Sequence, residues 1–177
     1  MKYNIEWAKT KVNPDFLFFW GHTSQQNKIT KACLSQWWPC EFNANGIEYN
    51  CAEQYMMSEK AKLFKDEEMY QLILKESSPT KIKKLGRCIK NFNEAIWNKN
   101  KASLVIQGNI LKFTQNIELK NFLIETGNKI LVEASPYDKI WGIGLDENNP
   151  DCRNPFKWKG ENLLGFSLME VRDIIKF

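Results

Sequence analysis

The sequence predicts a mainly α fold, an α-rich α+β domain with many helices and a few short strands. Three observations carry this. Helix-start signals recur through the middle of the chain: Asp66 before Glu67, Ser78 before Pro79 and Asn116 before Ile117. The stretches that follow are helix-length and carry no internal proline. Strand-like runs, by contrast, are short and aromatic, at Phe16 to Trp20 and Phe42 to Tyr49. At 177 residues, with no repeat, low-complexity tract or linker, residues 1–177 are expected to form a single compact domain.

In chain order, residues 1–15 read as a polar lead-in. Phe16 to Trp20 is a buried strand ending at Gly21, and a polar loop runs from His22 to Lys31. Leu34 to Pro39 forms an aromatic corner. Phe42 to Tyr49 is a hairpin turning at Asn43-Ala44-Asn45-Gly46, where Asn and Gly tolerate positive φ. Asn50 is the expected cap of a helix from Ala52 to Phe64, and Asp66 of one from Glu67 to Lys75. Pro79 opens a helix that closes near Gly86-Arg87. Asn93 starts a short turn holding Trp97, and a long helix covers Lys99 to Phe113 despite Gly108. Asn116 caps Ile117 to Thr126, which Gly127 stops. The apolar run Ile130 to Val132 leads into Glu133. A polar loop, Asp146 to Glu161, precedes a last helix at Ser167 to Ile175.

Composition narrows the function. Hydrophobic residues make up 43% and aromatics 13%, ample for a core. No apolar stretch is long enough to span a bilayer, and the N-terminus lacks a signal core, so a soluble, cytoplasmic protein is expected. Cysteines stand at 33, 40, 51, 88 and 152, with no zinc-ligand spacing, and His22 is the one histidine. Reduced thiols are expected, and no metal or cofactor. The net charge of +4 is mild and the lysines read as scattered. That suits a phosphate-bearing ligand without demanding nucleic acid.

Two stretches carry candidate chemistry. On the helix from Ala52, Glu53 and Lys60 fall among Met56, Met57 and Phe64 on the apolar side. Gln54, Ser58, Glu59 and Lys62 take the opposite arc, with Tyr55 among them. A charge on an apolar face needs a partner, a ligand or a shifted pKa. Seven residues rise about 10 Å along a helix, so the two do not easily serve each other. Each faces either charges on neighbouring elements or an open cleft. The second stretch is Leu131 to Leu145, where Glu133 ends an apolar run, Pro136 bars a helix, and Asp138 and Trp141 precede Gly142 and Gly144. It reads either as a site loop or as a plain turn over a buried Trp. Arg87, after a glycine, is a phosphate contact or one more base at a helix C-terminus.

Several stretches together resemble one family: Ala52-Glu53-Gln54-Tyr55 with Lys60-Ala61, Leu85-Gly86-Arg87, Lys112 to Asn116, Leu131 to Leu145, and Asn162-Leu163-Leu164-Gly165 with Leu168-Met169 and Val171-Arg172. Over residues 16–175 the chain is similar to the NADAR (YbiA-like) family. The resemblance implies an α-rich single domain and N-glycosidase chemistry at a ribose C1–N bond. One branch acts on phosphorylated riboflavin-pathway intermediates; another removes ADP-ribose from guanine bases in nucleotides or DNA. The family's motif carboxylate falls on Glu53, and its later acidic and Trp positions on Glu133, Asp138 and Trp141. Two departures stand out: Gln54, where the family often has His, and Ser35-Gln36-Trp37, where it often has Ser-Asn-Phe. Both bear on substrate contacts.

The expected catalytic set is therefore Glu53 with Lys60, Asp138 and Glu133. Carboxylates stabilise an oxocarbenium-like sugar and activate water. Lys60 binds phosphate, or attacks an opened ribose if its pKa is depressed. Trp20, Trp37 and Trp141 are candidates to stack on a base and Arg87 to hold a phosphate. Gly21, Ser35, Tyr137, Gly142 and Asn162 complete the expected substrate-binding residues. The expected partner is ADP-ribosylated guanine, in a nucleotide or DNA. The alternatives are a riboflavin-pathway nucleotide intermediate, a non-catalytic ADP-ribose or NAD-binding module, and a sequence-tolerant nucleic-acid binder, which scattered lysines disfavour.

Overall fold

Helices dominate the regular structure, as expected. In chain order the elements are α1 (Ile5–Lys9), β1 (Phe16–Phe19), β2 (Phe42–Ala44), β3 (Ile47–Tyr49), α2 (Ala52–Leu63), α3 (Glu67–Lys75), α4 (Pro79–Arg87), α5 (Glu94–Gln115), α6 (Ile117–Glu125), β4 (Ile130–Glu133) and α7 (Leu163–Ile175). The computed structural model describes residues 1–23 and 28–176. Positions 24–27 of the loop expected from His22 to Lys31, and Phe177, lie outside the described residues. The chain gathers into two units, Met1–Ser35 with Ile117–Phe177, and Gln36–Asn116. Among the described residues no helix is long and apolar enough to cross a membrane.

The first unit is built on β1 and β4, which pair in parallel from Phe16↔Ile130 to Phe19↔Glu133. Both strands are almost wholly buried. The first strand stops at Phe19, one residue short of the expectation. The lead-in is not irregular: it holds α1, whose Asn4 side chain accepts from the Trp7 N–H at 2.8 Å. Five residues are too few for a helical period to show, so only the cap marks it. Helix α7 starts at Leu163, four residues before the expected Ser167. Asn162 enters it at φ 52°, a left-handed conformation that Asn tolerates better than most side chains. Helix and strand approach so closely that a Cβ at Gly165 would sit 2.1 Å from the Leu131 carbonyl oxygen.

The second unit is organised around α2, which packs against α3, α4 and α5. Gly86 and Gly108 permit this: a Cβ there would sit 2.0 Å from the Met57 sulfur and 2.5 Å from the Tyr55 ring. The β2–β3 hairpin, Phe42↔Tyr49 to Ala44↔Ile47, joins Tyr55 in an aromatic cluster. Asn93 caps a single 22-residue α5, its side chain accepting from the Ile96 N–H at 3.0 Å. The separate turn and helix expected there are one element, because nothing between Glu94 and Lys99 breaks it.

One expected cap is corrected. Cys51, not Asn50, precedes α2, and it makes no side-chain cap bond. The Gln54 side-chain oxygen Oε1 instead accepts from the Asn50 N–H at 2.9 Å. Asn116 closes α5: its amide donates to the Lys112 and Glu41 carbonyls at 2.9 and 3.0 Å. Among the described residues no disulfide joins the cysteines, and burial pushes Cys51 up to about 11.

Candidate functional site

In the second unit, α2 carries Glu53 in its first turn, where the helix dipole favours a carboxylate. The Glu53 backbone N–H donates to the Gln36 carbonyl at 2.9 Å, and the residue is only 3% exposed. Lys60, two turns on, is half-buried. Its ammonium donates to the Gly86 carbonyl at 2.7 Å and lies 4.5 Å from the Phe92 ring centroid and 5.3 Å from that of Trp97. Burial lowers its pKa below the usual lysine value, and the Glu53 carboxylate partly offsets the shift. So the two charges do sense each other, although they are two turns apart.

The rest of α2 departs from a two-faced helix. Gln54, Tyr55 and Ser58, assigned to a polar arc, are all buried. Helices pack on several sides of α2, so its polar groups are satisfied internally. The Gln54 amide donates to the Ile73, Leu74 and Glu76 carbonyls at 3.1, 3.1 and 3.0 Å, and Ser58 Oγ to the Tyr55 carbonyl at 2.9 Å. The departure at Gln54, expected to bear on substrate contacts, thus stitches α2 to the end of α3.

Two buried polar residues of α5 escaped sequence reasoning as site candidates. Asn109, fully buried on α5, donates from Nδ2 to Gln36 Oε1 at 3.1 Å and to the Val105 carbonyl at 2.8 Å. It anchors the residue whose carbonyl receives the Glu53 N–H. Among the described residues, the remaining Gln36 Nε2 and Asn109 Oδ1 are buried with no hydrogen-bond partner. The available signal was Gly108-Asn109, two poor helix formers inside a long helix. Lys112, also fully buried, lies 5.0 Å from the Phe113 ring. Arg87 is exposed in the last turn of α4, directly after the carbonyl that holds Lys60. Trp37 is half-buried, with the Lys83 ammonium 5.8 Å from its ring.

In the first unit the remaining candidates cluster at the carboxyl end of the β1–β4 pair, where parallel strands commonly present ligand sites. Trp20 and Gly21, the latter at φ 80°, follow β1, while Glu133 ends β4, half-buried. Tyr137 is 85% exposed and Trp20 51%, with ring centroids 6.2 Å apart. An exposed aromatic pair offers a stacking surface. Asp138 Oδ1 accepts from the Ile140 and Trp141 N–H groups at 3.0 and 2.8 Å, and its own N–H donates to Ser135 Oγ at 3.2 Å. The carboxylate therefore closes a turn that also orients the half-buried Trp141.

Asn162 fastens this loop from beneath. It is fully buried; Oδ1 accepts from the Glu133 N–H at 2.9 Å, Nδ2 donates to the Leu131 carbonyl at 2.9 Å, and its N–H donates to the Gly142 carbonyl at 3.1 Å. Gly142 is buried, and a Cβ there would meet the Glu133 carbonyl at 2.8 Å. Ser35 ends a short 3₁₀ turn, Lys31–Leu34, half-buried. A cavity of about 330 Å³ opens elsewhere in this unit, beside Tyr3, Trp7, Ile130 and Arg172, and none of the expected site residues lines it. Among the described residues no three His, Cys, Asp or Glu side chains are grouped to hold a metal ion.

The NADAR domain model matches residues 18–176. A protein of Acanthamoeba polyphaga mimivirus named as an N-glycosidase is 47% identical over 163 residues, covering 89% of this chain and 95% of its own length. N-glycosidase YbiA of Escherichia coli is 29% identical over 136 residues, 77% of this chain and 75% of that protein. The NMR structure of E. coli YbiA superposes with a TM-score of 0.74 at 23% identity, covering 95% of this chain and 89% of that one.

Proposed function

The chain belongs to the NADAR family, and on that premise we propose that it is an N-glycosidase that hydrolyses a ribose C1–N bond, its substrate being ADP-ribose attached to a guanine base in DNA or a nucleotide. The family match runs through both units, which supports treating residues 18–176 as one NADAR domain. The observation that carries the chemistry is Glu53, a carboxylate only 3% exposed in the first turn of α2, with a half-buried cation on the same helix.

The reaction breaks C1–N and forms C1–O to water. The C1–N electron pair leaves with the base nitrogen, and a proton from water ends on that nitrogen or in solvent. Positive charge accumulates on the ribose meanwhile, and a desolvated carboxylate stabilises it strongly. Glu53 fills that role, and it also takes the proton of the attacking water. Lys60 acts as a cation toward phosphate, since its carbonyl and aromatic partners all favour the ammonium form. Among the candidates of the second unit Arg87 is assigned to phosphate; among those of the first, Asp138 and Glu133 are assigned to sugar hydroxyls and Trp20 with Tyr137 to base stacking.

The test is a mass-spectrometric turnover assay with two substrates. Release of ADP-ribose from ADP-ribosylated guanine supports the proposal. Release of ribose phosphate from riboflavin-pathway intermediates, with none from ADP-ribosylated guanine, moves the enzyme to metabolite clearance. Binding of ADP-ribose with no product from either replaces the enzyme by a binding module.

A further inference from the structure

The positive charge of this chain is concentrated rather than scattered. Between Lys75 and Lys90 lie six basic residues and one acid, a net +5 on a chain whose total is +4, so the remaining residues net −1. Folding sorts these charges further. Helix α4 buries Ile82 and Gly86 and turns Thr80, Lys81, Lys84 and Arg87 outward, all exposed. Lys81, Lys84 and Arg87 follow one another at i,i+3 spacing, where like charges repel and destabilise a helix. Lys81 has Glu76 at 3.7 Å, beyond hydrogen-bonding range, with its side chain 69% exposed. Beside this face the Lys83 ammonium lies 5.8 Å from the half-buried Trp37 ring. A row of cations with an adjacent aromatic is the combination that tracks a phosphate backbone and stacks a base.

We propose that the outer face of α4, through Lys81 and Lys84, binds the phosphate backbone of a nucleic-acid strand, so that the enzyme's substrate is a modified base within a polymer rather than a free nucleotide. The substrate half of this statement rests on the N-glycosidase reading above; the binding half does not. Self-repelling lysines at helical spacing are stabilised when phosphates neutralise them, and bound counterions are released to solvent. A mononucleotide, with its phosphates on one side of the base, does not need the extended row.

The experiment compares the unaltered protein with a Lys81→Gln, Lys84→Gln double variant, both substitutions lying on an exposed helical face. Fluorescence anisotropy with a short, unmodified, guanine-containing single strand is recorded across a salt series. The variant is expected to bind about tenfold more weakly, and its log K against log salt slope to be shallower by about 1.4, for two lost phosphate contacts. In turnover, KM for an ADP-ribosylated oligonucleotide should rise about tenfold with kcat unchanged, while kinetics on an ADP-ribosylated guanine mononucleotide stay the same. Equal affinity and slope for the two proteins overturn the proposal, and so does polyglutamate competing as well as unlabelled oligonucleotide. A shallower slope with no turnover on either substrate leaves the surface standing and removes the N-glycosidase substrate reading instead.

Discussion

Lys60 and Gly86 are joined by a 2.7 Å hydrogen bond, ammonium to carbonyl, which carries the cation from α2 to the end of α4. Burial holds the Lys60 pKa below 10.5. If Lys60 acts as a cation, kcat/KM falls as pH rises through that lowered value. Stability moves the other way. Between the lowered pKa and the ordinary one the unfolded chain binds more protons than the folded chain, so unfolding free energy contributed by Lys60 rises with pH. A pH series of activity and Tm, for the unaltered protein and a Lys60→Met variant, checks both signs. Activity that increases through the same pH window would mark Lys60 as a nucleophile instead.

Asn162 should be a stability residue before anything else. Asn162→Ala strands the Glu133 N–H and the Leu131 carbonyl, both now bonded at 2.9 Å, and leaves alanine in a left-handed conformation. The combined cost is about 3 kcal/mol, or about 10 °C in Tm. Thermal denaturation measures it, and an unchanged Tm would contradict the assignment.

Two glycines predict opposite outcomes for the same substitution. At Gly165 a new Cβ meets a backbone carbonyl at 2.1 Å, which cannot step aside, so Gly165→Ala should cost more than about 3 kcal/mol. At Gly86 the obstacle is the Met57 sulfur at 2.0 Å, the mobile end of a flexible side chain. Gly86→Ala should cost only about 1 kcal/mol. Urea denaturation of the two variants side by side gives the ranking.

Asp138 separates folding from chemistry. Asp138→Asn keeps an oxygen to accept from the Ile140 and Trp141 N–H groups, so Tm should stay within about 1 °C. If the carboxylate orients ribose, turnover should nevertheless drop about tenfold or more. Asp138→Ala should lower both. Full turnover by Asp138→Asn would reduce Asp138 to a turn residue.

Local signals were legible in the chain. Asp66, Pro79 and Gly127 mark helix boundaries close to where they fall, because caps and breakers act within a few residues. Glu53 was legible too, as a carboxylate among apolar neighbours. What escaped depends on distant partners. Phe16 pairs with Ile130 across more than a hundred positions, and no periodicity encodes that register. A helical wheel assumes one wet side, so it misplaced Gln54 and Ser58 on a helix packed against three others. Asp138 and Asn162, read as substrate groups, also bond to backbone through Asp138 Oδ1 and the Asn162 amide, because the tight loop between β4 and α7 uses polar side chains to satisfy its own N–H and C=O groups.

The most direct test of the account is kcat for Glu53→Gln on ADP-ribosylated guanine, beside its Tm. Glutamine preserves size and burial but removes the charge meant to stabilise the ribosyl cation and take the water proton. The expected result is a folded variant with a Tm near that of the unaltered protein and kcat reduced by about a thousandfold. A folded variant with undiminished kcat would contradict it.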